Sequence, residues 1–194
     1  MQDKAEIPLL LCKTSAEWQE WLEHHGNITA SGVWLQLAKK GTGAVSVSYE
    51  EALEEALCYG WIDGQARRLN DGYYLQKFTP RRQRSAWSKR NVERTKILIA
   101  AGRMQAAGLA AIEVAKQNGQ WDAAYSSSSE KEIPPELQAA LKNSPKAAAS
   151  FRAMNRANQY AMCFRVQTAV RPTTKQARVD KFIGMLERGE TLYS

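Results

Sequence analysis

The run from Ala56 to Asn91, ALCYGWIDGQARRLNDGYYLQKFTPRRQRSAWSKRN, crowds arginines, aromatics and glycine turns into one short stretch. A planar guanidinium meets a carboxylate or phosphate through two parallel N–H donors. Arg81 and Arg82, close to Ser85, Ser88 and Lys89, therefore read as a set that holds an anion. A helix beginning at Ser88 would add unsatisfied backbone N–H groups and the positive end of its dipole. Trp61, Tyr74 and Trp87 could wall such a groove and stack on a ring. Gln65, Gln76 and Asn91 supply further polar contacts from the same run. Asp63 could accept hydrogen bonds from a ligand or orient an arginine. It could equally pair with Arg67 or Arg82 as a structural salt bridge, with Trp61 and Trp87 in the core.

The charge pattern points the same way. The chain carries a formal +7, unevenly placed. From Met1 to Gly60 nine acids face four bases, net −5; from Arg67 to Lys96 ten bases face two acids, net +8. Such asymmetry marks a local anion-attracting patch. A small anionic ligand or an acidic protein segment is the partner it fits. Weak nucleic-acid binding is an alternative that also draws on Arg152, Arg156, Arg165, Arg171, Lys175, Arg178, Lys181 and Arg188. No helix-turn-helix, zinc-finger or RNA-binding signature accompanies those residues.

Catalysis is less well supported. The two histidines, His24 and His25, sit at a predicted helix end far in sequence from the basic run. Cys58 has no evident histidine partner and lies on an apolar helix face. Glu50, Glu51, Glu54 and Glu55 read as a solvated helix face. No phosphate loop, dinucleotide fingerprint or zinc motif occurs, so no cofactor and no metal are expected. An enzyme of unknown reaction using the Arg/Trp/Asp groove stands as the alternative to a binding protein. Cys12, Cys58 and Cys163 are odd in number and in apolar settings, the pattern of buried reduced thiols and a cytoplasmic location. No signal peptide and no membrane-spanning run is read, and nothing indicates the oligomeric state.

The elements that must position these residues can be predicted from period and punctuation. Thr14 or Ser15 caps a helix that buries Trp18, Trp21 and Leu22. Gly32 to Ala38 reads as a strand. Ser48 opens a helix with Glu50 and Glu51 in its first turn, and Gly60 stops it. Asn70-Asp71-Gly72, between Trp61-Ile62-Asp63 and Tyr73 to Phe78, predicts a β-hairpin. Ser88 caps the next helix, Gly102 breaks it, and a second runs from Met104 to Asn118. Pro135, Pro145, Asn158 and Pro172 lie at or near the starts of four more helices. The order predicts α+β: a small antiparallel sheet with packed helices in the N-terminal part, and an all-helical C-terminal part. The expected division is residues 1–125 carrying the groove, a polar linker at 126–134, and a helical subdomain at 135–194.

CYGWIDGQ (Cys58 to Gln65), QKFTPRR (Gln76 to Arg82), S-x-WSK-x-N (Ser85 to Asn91) and GRM-x-x-AGL (Gly102 to Leu109) together resemble the YdeI/OmdA family, described as bacteriocin-protection or OmpD-associated. The early W-x-x-WL, the GVWL strand and the late MLERGE are similar as well. The resemblance implies a stress-response role, tolerance to bacteriocins or antimicrobial peptides, and supplies no catalytic residues.

Overall fold

The computed structural model describes residues 7–26, 29–127, 130 and 132–193. Asn27, and Ser128, Ser129 and Lys131 of the polar run read as a linker, lie outside the described residues. The chain forms two compact units. One comprises Met1–Gln83 with Glu93–Val114, the other Arg84–Val92 with Ala115–Ser194. These junctions differ from the 126–134 linker read from composition.

The first unit holds a four-stranded sheet. The strands β1 (Leu9–Leu10), β2 (Val33–Ala38), β3 (Trp61–Arg68) and β4 (Tyr73–Pro80) lie in the order β1-β2-β4-β3. Val33, Leu35 and Leu37 alternate into the core, as a half-buried strand requires. β2 pairs antiparallel with β4, and β3 and β4 form the predicted hairpin. Its turn is tied by Asn70, whose Oδ1 accepts from the backbone N–H of Gly72 at 2.9 Å and of Tyr73 at 2.8 Å. The sheet is mixed and not purely antiparallel, because β1 pairs parallel to β2. Two residues are too few to show a strand period, so this pairing left no trace in the sequence pattern.

Helix α1 (Ser15–His25) is capped by Thr14, whose Oγ1 accepts from the Glu17 N–H. It buries Trp18 and Leu22. The Trp18 ring stacks on Trp21 at 5.3 Å and meets Phe78 at 5.5 Å, and its indole N–H donates to the Ala52 carbonyl at 3.0 Å. Helix α2 (Tyr49–Cys58) opens with a reciprocal capping box between Ser48 and Glu51. Helices α3 (Lys89–Ala100) and α4 (Ala106–Gln117) each supply residues to both units.

Within the first unit α4 comes against the end of α2 through glycines. The Gln105 N–H donates to the Cys58 carbonyl at 3.1 Å, and a Cβ on Gly108 would lie 2.2 Å from that same oxygen. Gly60 has φ +75, and a Cβ there would sit 2.8 Å from the Ala107 carbonyl oxygen. Arg103 closes the contact, donating to Glu54 Oε2 at 2.8 Å and to Glu55 Oε1 at 2.6 Å. Glu54 and Glu55 are therefore tied into the fold and not a solvated face, the reverse of the sequence expectation. The helix pattern alone could not reveal a partner 48 residues away.

The second unit is helical: α5 (Pro135–Asn143), α6 (Pro145–Ala153), α7 (Arg156–Gln167) and α8 (Pro172–Glu187). Leu137, Leu141, Phe151, Met162, Val179 and Phe182 are among its core residues. Ser144 caps α6 by accepting from the Ala147 N–H, while its hydroxyl donates to Glu187 at 2.7 Å. Asn158, only 1% exposed, holds the chain end: its Oδ1 accepts from the N–H of Leu192 and Tyr193, both at 2.9 Å. Among the described residues no helix is long and apolar enough to cross a membrane.

Candidate functional site

The twelve residues predicted to form a groove are divided between the units. Trp61, Asp63, Gln65, Tyr74, Gln76, Arg81 and Arg82 belong to the first; Ser85, Trp87, Ser88, Lys89 and Asn91 belong to the second. Trp61 is 1% exposed and edges against Trp18 and Trp21 at 6.5 and 5.8 Å, so it is core and not a wall. Gln76 is buried too, its Nε2 donating to the Gly64 carbonyl at 2.9 Å beside the β3 bulge. Asp63 accepts from the Tyr49 hydroxyl at 2.9 Å. That carboxylate and burial together hold the Tyr49 phenol well above its ordinary range, burial being the larger cause. Tyr74 is half-buried and Gln65 exposed. Arg82 is exposed, while Arg81 tucks its Nε and Nη2 out of solvent.

In the second unit Trp87 is 3% exposed and packs edge-on against Trp121 at 4.9 Å. It too is core. Ser88 caps α3 as predicted, accepting from the Asn91 N–H at 3.2 Å, and Asn91 is buried. The backbone on either side of Ser88 pairs with Tyr125: Tyr125 N–H donates to the Trp87 carbonyl at 2.9 Å and Lys89 N–H to the Tyr125 carbonyl at 2.8 Å. This short parallel bridge leads the chain into Ser126. Lys89 points its ammonium at Glu132 Oε2 at 2.5 Å.

That ion pair borders a cavity of about 370 Å³ inside the second unit. Its lining comes from Ser126, Ser127, Glu132 and Ile133, the end of α6 and one face of α7. Arg156, Gln159, Tyr160, Cys163 and Gln167 follow the i, i+3, i+4, i+7, i+11 spacing of one helix face, so a single stripe presents them. One wall is polar and internally satisfied. The Ser126 N–H donates to Gln167 Oε1 and Gln167 Nε2 donates to Ser126 Oγ, both at 3.3 Å; the Ser126 hydroxyl donates to Glu132. The lysine hydrogen bond, then the serine one, holds the Glu132 carboxyl below its usual range, so it is ionised. The other wall is apolar: Ile133, Phe151, Tyr160 and the Cys163 thiol, which burial pushes up to about 11 and keeps protonated. Gln159 pins the α6–α7 corner, its Nε2 donating to the Phe151 carbonyl at 2.8 Å. Arg152 and Arg156 flank that corner, both exposed, and among the described residues neither guanidinium has a hydrogen bond or ion pair. Sequence reasoning named these two arginines only within a diffuse basic list. It had no signal that Ser126, Glu132 and Gln167 would meet, because they lie 41 and 6 residues apart along the chain.

Cys12 and Cys58 are buried like Cys163, and burial raises each thiol to about 11. They are protonated at neutral pH, so neither has the thiolate that nucleophilic chemistry needs.

Two family models match the chain. Residues 10–111 match the one described as Domain of unknown function (DUF8412), and residues 130–189 match Bacteriocin-protection, YdeI or OmpD-Associated. The second match supports the resemblance read from the motifs. The other quoted motifs nevertheless fall inside the first matched stretch, and MLERGE alone reaches the second, all but its final Glu190 lying within it. No curated protein and no solved structure matches.

Proposed function

From a chain that belongs to the DUF8412 family, with a C-terminal part matching the YdeI/OmdA model, we propose a binding protein for a small anionic ligand seated in the cavity of the second unit. The observation that carries this reading is the charge balance of the lining. Among the described lining residues the acid is Glu132, which Lys89 neutralises, and the Arg152 and Arg156 guanidinium groups are left without an ion pair beside an apolar wall. A concave, mainly apolar hollow with a few convergent polar groups is the usual form of a small-molecule site. Of the residues singled out from sequence, Lys89 takes part by neutralising Glu132. The basic run from Arg67 to Lys96 adds to the positive field that draws anions to the molecule. Within the same proposal, binding takes place in the cytoplasm and serves tolerance to bacteriocins, the role printed for the second family.

Titration with inorganic phosphate, nucleotides and small carboxylates, followed by tryptophan fluorescence, tests the reading. At least one of these anions is expected to give a saturable change that weakens in Arg156→Ala. Silence from all three classes would remove the proposal.

A further inference from the structure

Resting on that reading, we infer that the cavity takes a monocarboxylate with a compact apolar body, an aryl or branched-chain acid, and not a phosphate ester. Arg152 and Arg156 hold the carboxylate at the α6–α7 corner, and the body lies against Ile133, Phe151, Tyr160 and Cys163.

The size of the hollow sets the first limit. At about 370 Å³ it lies at the low end of the 300–1,000 Å³ typical of small-molecule sites. The second limit is charge. Among the described residues, Arg152, Arg156 and Lys89 against Glu132 leave +2, and Glu130, which lies outside the lining and accepts from the Ser127 N–H at 3.1 Å, reduces this to +1. One negative charge balances that site. A nucleoside polyphosphate would exceed it and bring its oxygens toward the ionised Glu132. The third limit is where the donors are. Ser126, Gln167 and Glu132 satisfy one another, and Gln159 spends its amide N–H on α6, so these groups form no ring of donors for a phosphate. The cations are instead paired at one corner, four residues apart across the α6–α7 turn. Guanidinium forks so placed suit a planar carboxylate. Burial holds the Tyr160 hydroxyl protonated, and it can donate to a polar substituent on the acid.

The test is amide and methyl chemical-shift mapping on the full chain with four probes: benzoate, 3-methylbutanoate, inorganic phosphate and uncharged benzamide. Benzoate or 3-methylbutanoate is expected to shift the signals of Ile133, Tyr160 and Cys163 saturably, with benzamide about tenfold weaker or more. Arg152→Ala with Arg156→Ala is expected to weaken carboxylate binding about ten- to a hundredfold, the worth of charge-assisted hydrogen bonds. Both positions are exposed, and an unchanged circular dichroism spectrum would show the double variant folded. Phosphate shifting the cavity signals while both carboxylates leave them still would overturn the assignment of ligand class yet keep the anion-binding reading. Carboxylate binding that the double variant leaves intact, or that maps away from the cavity, would overturn the assignment of the site. Absence of response to every anionic probe would remove both.

Discussion

At the scale of single residues, buried polar side chains carry the sharpest consequences. Asn158 holds two backbone N–H groups of the C-terminal segment and donates to the Tyr193 carbonyl at 3.1 Å. Asn158→Ala would strand those groups, a loss of about 1–3 kcal/mol. Denaturant unfolding should show that loss, with faster amide exchange at Leu192 and Tyr193. Glu132 predicts a pH dependence. Its folded pKa lies below its unfolded value, so its contribution is fully present above the ordinary carboxylate value of 4.5 and is lost as pH falls through the folded one. Glu136, held down by its hydrogen bond to backbone and by Lys175, acts with the same sign. Melting temperature should therefore drop as pH goes from about 5 to about 3. Glu132→Gln should flatten part of that drop, and an identical profile in the variant would contradict the role given to the Lys89–Glu132–Ser126 network.

Among the elements, the α2–α4 contact gives a glycine test with two opposite signs. In a helix, Gly→Ala ordinarily gains about 1 kcal/mol from propensity. At Gly108 the new Cβ would meet the Cys58 carbonyl at 2.2 Å, where backbone cannot move aside cheaply. The overpacking cost of about 1–3 kcal/mol wins there, and Gly108→Ala should destabilise. Gly184 in α8 meets only the end of the Arg188 side chain at 3.4 Å. Gly184→Ala should stabilise by a few tenths to 1 kcal/mol. Urea midpoints for the two variants, compared at equal slope, check both signs. The same contact gives the shared motifs a physical reading. Cys58-Tyr59-Gly60 and Ala107-Gly108-Leu109 meet each other, and Arg103 bridges to Glu54 and Glu55. These parts of the family motifs record the fit of two helices.

For the molecule as a whole, each unit buries its own core: Trp18, Trp61 and Phe78 in one, Leu137, Met162, Phe182 and Leu186 in the other. Chains of that kind often depart from a single two-state transition. Phe182→Ala should cost about 3–5 kcal/mol in the second unit. Hydrogen exchange is expected to lose protection there and retain it across β2 and β4. Uniform loss through both units would show one cooperative body. The net charge of +7 also predicts weak nucleic-acid binding of a purely electrostatic kind. It should fade between about 50 and 200 mM salt, as gel shifts would reveal, because released counterions drive it.

The helices and the hairpin were legible in the chain because their causes are local. Ser48 and Ser144 cap by reaching three residues along, Asn70 closes its turn within three, and Val33, Leu35 and Leu37 alternate in sequence. The α+β order follows from those signals alone. The candidate groove was not legible in the same way. Trp61 and Trp87 have the residue type of a binding wall and Gln76 that of a polar contact, yet long-range packing buried Trp61 and Gln76 in the first unit and Trp87 in the second. The cavity in the second unit was invisible for the converse reason: Ser126, Glu132 and Gln167 are ordinary residues until tertiary contact makes them share hydrogen bonds. Composition determined that the protein is basic over one stretch and rich in helix caps. Only the folded chain decided which cations stay unspent, because an ion pair depends on distance in space and not on spacing in sequence.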